Sequence, residues 1–360
     1  MATFEHRPTS RPTPDGERER ILRDPGFGLH FTDHMATARW TPGTGWRDHQ
    51  VAGLSPFTLH PGSAVLHYAQ QILEGLKAYR HADGSVWLFR PDFNAGRLTR
   101  SARRMTLPAL DETAFVDSLE ALVRADERWV PAHGSEASLY LRPFMFATET
   151  FLGMRPADEI TYCVIAFPAG PFFKAGPAGV TLWVSDVYSR AAEGGTGGTK
   201  CGGNYAASLA GFVEAQEHGC DQALYLGGEG RRWIDECGMA NFFAVTSDRT
   251  LVTPGLGTIL DGSIRDSVLA LAEQHGLAPV ERRISIDEVL DGCRDGSVTE
   301  AFASGTAAVV APITTFKSEG YEVPVGDGRP GKATLALREH LLDIQHGRAP
   351  DLHHWMRRVL

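Results

Sequence analysis

Lys200 lies in the run GGTGGTKCGGNY (194–205), with Gly194, Gly195, Gly197 and Gly198 before it and Gly202 and Gly203 after it. Glycine takes positive φ at little steric cost and lets a backbone pass close to a ligand. A stretch of this kind, taken alone, fits a flexible surface loop with a solvated lysine. Spacing argues against nucleotide motifs. G-x-x-x-x-G-K-[ST] requires glycine before the lysine and a hydroxyl after it, but Thr199 and Cys201 stand there. GEGRRW (228–233) opens like G-x-G-x-x-G and ends in Trp233. A lysine within close-packed backbone also suits Schiff-base chemistry, where a depressed pKa makes the amine nucleophilic. Glu236, beside Asp235 in WIDECGMANFF, fits a solvated strand end on its own terms. The histidines of HFTDH and DLHH lack metal-ligand spacing, and no two of the five cysteines form C-x-x-C. No metal site is expected.

Elements must position these groups. The chain has 360 residues, about two domains' worth, and with 42% hydrophobic residues it can bury a sizeable core. VWLFR (86–90), SLYLRPFMF (138–146) and ITYCVIAFP (160–168) read as strands, the last continuously apolar as a buried strand should be. Glu112 to Trp129 reads as a helix with Leu119, Leu122 and Val123 on one face. After the glycine run a helix is expected with Tyr205, Leu209, Phe212, Val213 and Gln216 on one face, capped by Asn204 and closed by Gly219. Short strands QALYL and NFFAV follow. A second helix starts near Ile264, with Val268, Leu271 and Ala272 inward and Gly276 as terminator.

The organisation expected is a flexible arm over 1–25, a small N-terminal domain over 26–173, a linker over 174–185 and a large domain over 186–360 holding Lys200. The arm is rich in Pro, Arg, Thr and Asp. The linker begins with KAGPAG (174–179), whose glycines and proline suit no regular element. With 35 basic and 44 acidic residues the formal charge is −9, which gives no positive field for nucleic acid or an anionic membrane surface. The N-terminal stretch lacks an apolar signal core, so a cytoplasmic location is expected.

The segment from Gly194 to Leu226 resembles the cofactor-lysine segment of branched-chain amino acid aminotransferases, which are fold-type IV pyridoxal-phosphate enzymes. FGLHFTDHM (27–35), LHYAQQILEGLKAYR (66–80), LFRPDFNAGRLTRSARRM (88–105), SLYLRPF (138–144) and FASGTAAVV (302–310) resemble further segments of that family in the same order. The resemblance runs from Phe27 to about Gly347. It implies an α/β fold of two domains, a smaller N-terminal α/β domain and a larger C-terminal mixed α/β domain. It also implies pyridoxal 5'-phosphate as cofactor, a homodimer, and amino-group transfer between leucine, isoleucine or valine and 2-oxoglutarate. Rival readings within the fold are D-amino acid transamination, lyase chemistry, or an aromatic or other apolar donor. A rival outside catalysis is a cofactor-binding scaffold.

Residue roles follow from the resemblance. Lys200 matches the lysine that carries the cofactor and later moves the substrate's proton. Glu236 matches the carboxylate paired with the pyridine nitrogen, and Tyr205 the tyrosine on the cofactor's phenolic oxygen. Arg97 in FNAGR matches the phosphate arginine. It is one of five arginines between Arg90 and Arg104 that could equally line a surface helix face. Backbone N–H groups of Ser263 and Ile264, at a helix start, and Thr306 complete the phosphate set. Phe27, Tyr68, Tyr140 and the backbone at Ala307 match substrate-pocket positions, and Arg142 an arginine for glutamate's side-chain carboxylate. The chain departs from the family at Leu73, where phenylalanine is usual, at Met154 and Met239, where smaller residues are usual, and at the GSIRDS turn. GTAAVVAP (305–312) lacks the paired cysteines of the mammalian redox switch, so no such regulation is expected.

Overall fold

The computed structural model describes residues 3–170 and 178–360. The elements are β1 (Glu5–Arg7), α1 (Asp15–Arg23), β2 (His34–Thr41), β3 (Gly45–Gly53), α2 (Ala64–Tyr68), β4 (Gln71–Leu73), β5 (Leu76–Arg80), β6 (Val86–Phe89), α3 (Pro91–Arg104), α4 (Glu112–Ala125), β7 (Ser138–Ala147) and β8 (Ile160–Ala169). They continue with β9 (Val180–Ser185), α5 (Gly202–Glu217), β10 (Gln222–Gly227), β11 (Trp233–Cys237), β12 (Ala240–Thr246), β13 (Thr250–Thr253), α6 (Ser263–Leu271), β14 (Ala278–Glu281), α7 (Ile286–Asp295), β15 (Val298–Gly305), β16 (Val309–Ser318), β17 (Tyr321–Pro324), α8 (Lys332–Gln345) and β18 (Met356–Arg358). No helix among the described residues is long and apolar enough to cross a membrane.

The chain divides into two compact units, both mixing helices with a sheet. The first comprises Met1–Pro171, Lys200–Gly202 and Asp343–Leu360; the second comprises Phe172–Thr199 and Gly203–Leu342. Two expectations are corrected here. Lys200 belongs to the first unit, because its backbone bonds to that unit's Leu73 and Ser101. The C-terminal segment also returns there, with β18 pairing β6 and Val359 buried. These additions leave the two units comparable in length.

The first unit's sheet runs β1-β3-β2-β8-β7-β5-β6-β18, with β4 paired to β7. β7 and β8 pair antiparallel over their full length, from Ser138↔Ala169 to Ala147↔Ile160. Helix α4 covers this sheet with Leu119, Leu122 and Val123 fully buried, as its spacing predicts, and Asp111 caps it by accepting from Thr113 N and Ala114 N. Of the arm expected to be flexible over 1–25, the described residues 3–25 are built into the unit instead. β1 pairs parallel with β3, Phe4 and Ile21 are buried, and Thr13 donates from N and Oγ1 to Asp33 Oδ1 at 2.8 and 2.7 Å. A few apolar anchors and a half-buried acceptor supply what the arm's average composition conceals.

The second unit's sheet runs β11-β10-β9-β16-β15-β12-β13-β14, and β11 also pairs β12, so six strands close into a ring. Residues 180–185, expected as linker, are the central strand β9, held parallel by both β10 and β16. The 174–177 part of the linker expectation lies outside the described residues. Helix α5 presents the opposite face from that expected. Asn204, Ser208, Gly211 and Ala215 point inward, while Leu209 and Val213 are exposed. Small residues let the helix lie close to the sheet: a Cβ at Gly211 would strike Tyr225, whose hydroxyl donates to Ser208 O at 2.6 Å. Asn204 is not the cap but sits within the helix, donating to Thr196 O and Thr199 O, both at 2.8 Å. Gly219 closes the helix at φ +69° and Gly276 terminates the second at φ +65°, as expected.

Candidate active site

In the first unit the site is organised by one face of α3. Of the five arginines between Arg90 and Arg104, Arg97 alone is buried, at 3% exposure. Asn94, Arg97 and Ser101 recur at i, i+3 and i+7 and so share a side of the helix. Arg97 Nε and an Nη each donate at 2.7 Å to the two oxygens of Glu74, a paired fork that suits guanidinium and carboxylate. Asn94 Nδ2 adds a bond to Glu74 at 2.7 Å. Glu74 itself is fully buried. Burial alone would raise its carboxyl. The charge and hydrogen bonds of Arg97 outweigh that, the charge of Lys200 and the Asn94 bond add to them, and the carboxyl lies below its usual range. Ser101, one turn further, accepts from Lys200 N at 3.1 Å, while Leu73 N donates to Lys200 O at 2.9 Å. The lysine's main chain is therefore clamped on both sides. Gly202 is tightly constrained, since a Cβ there would strike the Gln71 amide.

Glu74 and Ser101 were missed in the sequence, although a signal for Glu74 exists: a carboxylate inside the apolar run ILEGLKAY must be paired if that run is a buried strand. Their presence changes what Arg97 does, because two of its guanidinium nitrogens serve Glu74. We expect Arg97→Ala to be a stability variant as well as a cofactor variant. Stranding one partner of a buried pair costs about 3–5 kcal/mol, whereas Glu74→Gln removes the charge and keeps most of the shape. Thermal melting of both apoproteins, alongside their cofactor dissociation constants, checks this. Equal melting of wild type and Arg97→Ala would place the pair at the surface.

Near the same sheet, Phe27 packs edge-on to Tyr140 at 5.3 Å, Tyr140 stacks on Phe167 at 4.9 Å, and the Arg142 guanidinium lies over the Tyr140 ring at 5.5 Å. The structure thus groups Phe27, Tyr140 and Arg142, and adds Phe167. Tyr68 donates to Leu152 O at 2.6 Å, which ties it to the turn carrying Met154. Met154 itself is 88% exposed.

In the second unit Glu236 is buried at 2% exposure. Its Oε1 accepts from Leu260 N at 2.7 Å and from Asn241 Nδ2 at 3.3 Å, and its Oε2 lies 3.2 Å from Arg190 Nε. Arg190 was also missed, and nothing in its flanking sequence marks it. Asn241 donates to Leu260 O at 2.8 Å and fills the space a Cβ would need on Gly262, the N-cap of α6. Glu236 and the helix start at Ser263–Ile264 are therefore linked through one side chain. Met239 lies in the β11–β12 turn next to Gly305, which precedes Thr306 and Ala307 in the β15–β16 turn. Tyr205 is half-buried on the first turns of α5.

These residues fit a phosphorylated pyridine cofactor. The second unit offers a buried acceptor held by two hydrogen-bond donors and an arginine's charge, and a helix N-terminus suited to an anion. The first offers a buried arginine and a lysine with a fixed main chain.

Comparisons agree with this chemistry. A family model described as amino-transferase class IV matches residues 71–316. A branched-chain-amino-acid aminotransferase of Mycobacterium tuberculosis (strain CDC 1551 / Oshkosh) is 49% identical over 352 residues, covering 97% of this chain and 96% of that one. The solved branched-chain amino acid aminotransferase of Escherichia coli superposes with a TM-score of 0.75 at 26% identity, over 90% of this chain and 100% of that one. The T.th. branched-chain amino acid aminotransferase, solved in complex with N-(5'-phosphopyridoxyl)-L-glutamate, superposes with a TM-score of 0.72 at 26% identity, over 90% of this chain and 99% of that one.

Proposed function

The chain belongs to the class IV aminotransferase family, among its branched-chain amino acid aminotransferases, and on that premise we propose how its residues divide the work. The enzyme uses pyridoxal phosphate to remove the amino group of branched-chain L-amino acids. When bound, the cofactor supplies an electron sink for the negative charge left on the substrate carbon. Lys200 holds the cofactor covalently and then, as a free amine, moves the substrate's proton. Glu236 accepts a hydrogen bond from the ring nitrogen and keeps it protonated. Arg97, Thr306 and the backbone N–H groups of Ser263 and Ile264 hold the phosphate, and Tyr205 bonds the phenolic oxygen.

The substrate side chain meets Phe27, Tyr68, Leu73, Tyr140, Met154, Met239 and the backbone at Ala307. Arg142 takes the second carboxylate of the acceptor, 2-oxoglutarate. The observation that carries the reading is Glu236, a fully enclosed carboxylate whose oxygens are oriented by Leu260 N, Asn241 and Arg190. The enzyme acts as a cytoplasmic homodimer.

Leucine, isoleucine and valine are expected as donors. Leu73 removes an aromatic ring from the pocket wall, and two methionines add adaptable bulk, so the preference broadens towards methionine or phenylalanine. Apolar side chains differing by a methylene separate by only about 1–3 kcal/mol, so kcat/KM across the apolar donors should span roughly one to two orders of magnitude. Specificity constants over a donor panel decide this. A clear preference for a charged or D-configured donor, or an absent keto-acid product, overturns it.

A further inference from the structure

β11 carries two acids side by side, Asp235 and Glu236, and alternation along the strand sends them to opposite faces. Resting on the reading of Glu236 as the ring-nitrogen partner, we propose that Asp235 is a positioning residue for Glu236, acting through Thr258 and Arg190.

The connections form a short chain. Thr258 Oγ1 donates to Asp235 Oδ1 at 2.7 Å. The carbonyl of the same Thr258 accepts from an Nη of Arg190 at 2.5 Å. Arg190 Nε then lies 3.2 Å from Glu236 Oε2. That last contact is an ion pair without hydrogen-bond alignment, since Arg190 Nε makes no hydrogen bond among the described residues. Its geometry is therefore set from the other end of the guanidinium, by the Thr258 carbonyl. Two residues on, Leu260 N donates to Glu236 Oε1 at 2.7 Å. The tripeptide 258–260 is thus held at one end by Asp235 and holds Glu236 with the other. Gly197 leaves room for the same carbonyl, because a Cβ there would collide with Thr258 O.

The charges around Asp235 point the same way. Arg190 and Arg283 face it, Arg283 being paired with Glu193 at 2.6 Å, and Glu236 stands on the far side of the strand. Burial pushes the Asp235 carboxyl up, against the Thr258 bond and the two arginines, and its Oδ2 has no hydrogen-bond partner among the described residues.

The test uses the cofactor-loaded Asp235→Ala, Asp235→Asn, Thr258→Val and Glu236→Gln proteins. Three quantities are read: the ring-nitrogen signal of 15N-labelled pyridoxal phosphate, the pH midpoint of the bound cofactor's visible absorbance, and the cofactor dissociation constant. Asp235→Ala and Thr258→Val are expected to move the nitrogen signal and midpoint in the direction of Glu236→Gln. Each should weaken cofactor binding about tenfold, the scale of one unmade buried hydrogen bond. Asp235→Asn, whose amide oxygen can still accept from Thr258, should fall closer to wild-type values than Asp235→Ala. Thr258→Val carries the test alone if Asp235→Ala does not fold. Wild-type signals and binding in folded Thr258→Val, with Glu236→Gln altered, overturn the proposal by itself. An unaltered nitrogen signal in Glu236→Gln overturns the assignment of Glu236, and this proposal falls with it.

Discussion

Lys200→Ala yields a folded protein with no borohydride-reducible bond to pyridoxal phosphate and a turnover reduced by at least about 10⁴-fold. The fold survives because Lys200 is positioned by its main chain, through Ser101 Oγ and Leu73 N, and alanine keeps both bonds. The activity does not survive, because the amine carries two duties that no neighbour can assume together. Arg97 is bound to Glu74 and does not deprotonate near neutral pH. Peptide mapping of reduced wild-type protein should find the label on the peptide containing Lys200. A label on another lysine, or retention of more than a hundredth of the rate, contradicts the assignment.

Glu236→Gln keeps bound cofactor and loses the proton-transfer rate by about a hundred- to a thousandfold, the effect of removing one preorganised electrostatic partner from a reacting group. The amide oxygen can still accept from Leu260 N, so the local backbone is retained. It cannot hold a proton on the ring nitrogen as a carboxylate does, and it leaves the buried Arg190 without its counter-charge. Some loss of thermal stability is expected from that second effect. The rate is therefore measured in a single turnover on folded, cofactor-saturated protein, where stability does not enter. A wild-type single-turnover rate rules the role out.

Much of the positioning is legible in the order of residues alone. The strands around 86–90, 138–146 and 160–168 stand where their β-branched and aromatic runs put them, and the inward face of α4 follows its spacing. Where the pattern misleads, the cause is identifiable. For α5, the large apolar residues suggest an inward stripe, yet the buried side is Asn204, Ser208, Gly211 and Ala215. Close approach to the sheet there favours small volume over hydrophobicity, and the hydroxyl of Tyr225 needs the space. Residues 180–185 resemble the end of a linker because their partners β10 and β16 lie far along the chain.

The amino-acid sequence by itself determined the family through the ordered resemblance of its local segments, and that resemblance, rather than any one residue, pointed to the lysine among glycines, the carboxylate after WID, the arginine in FNAGR and the helix start at DGSIRDS. Tertiary structure decided which partners set those groups. Glu74 meets Arg97 across 23 residues, Ser101 meets Lys200 across 99, and Leu260 meets Glu236 across 24. Such pairings arise because a buried charge or backbone group must find a complement wherever the packed chain provides one. Neither composition nor spacing records which distant residue that will be.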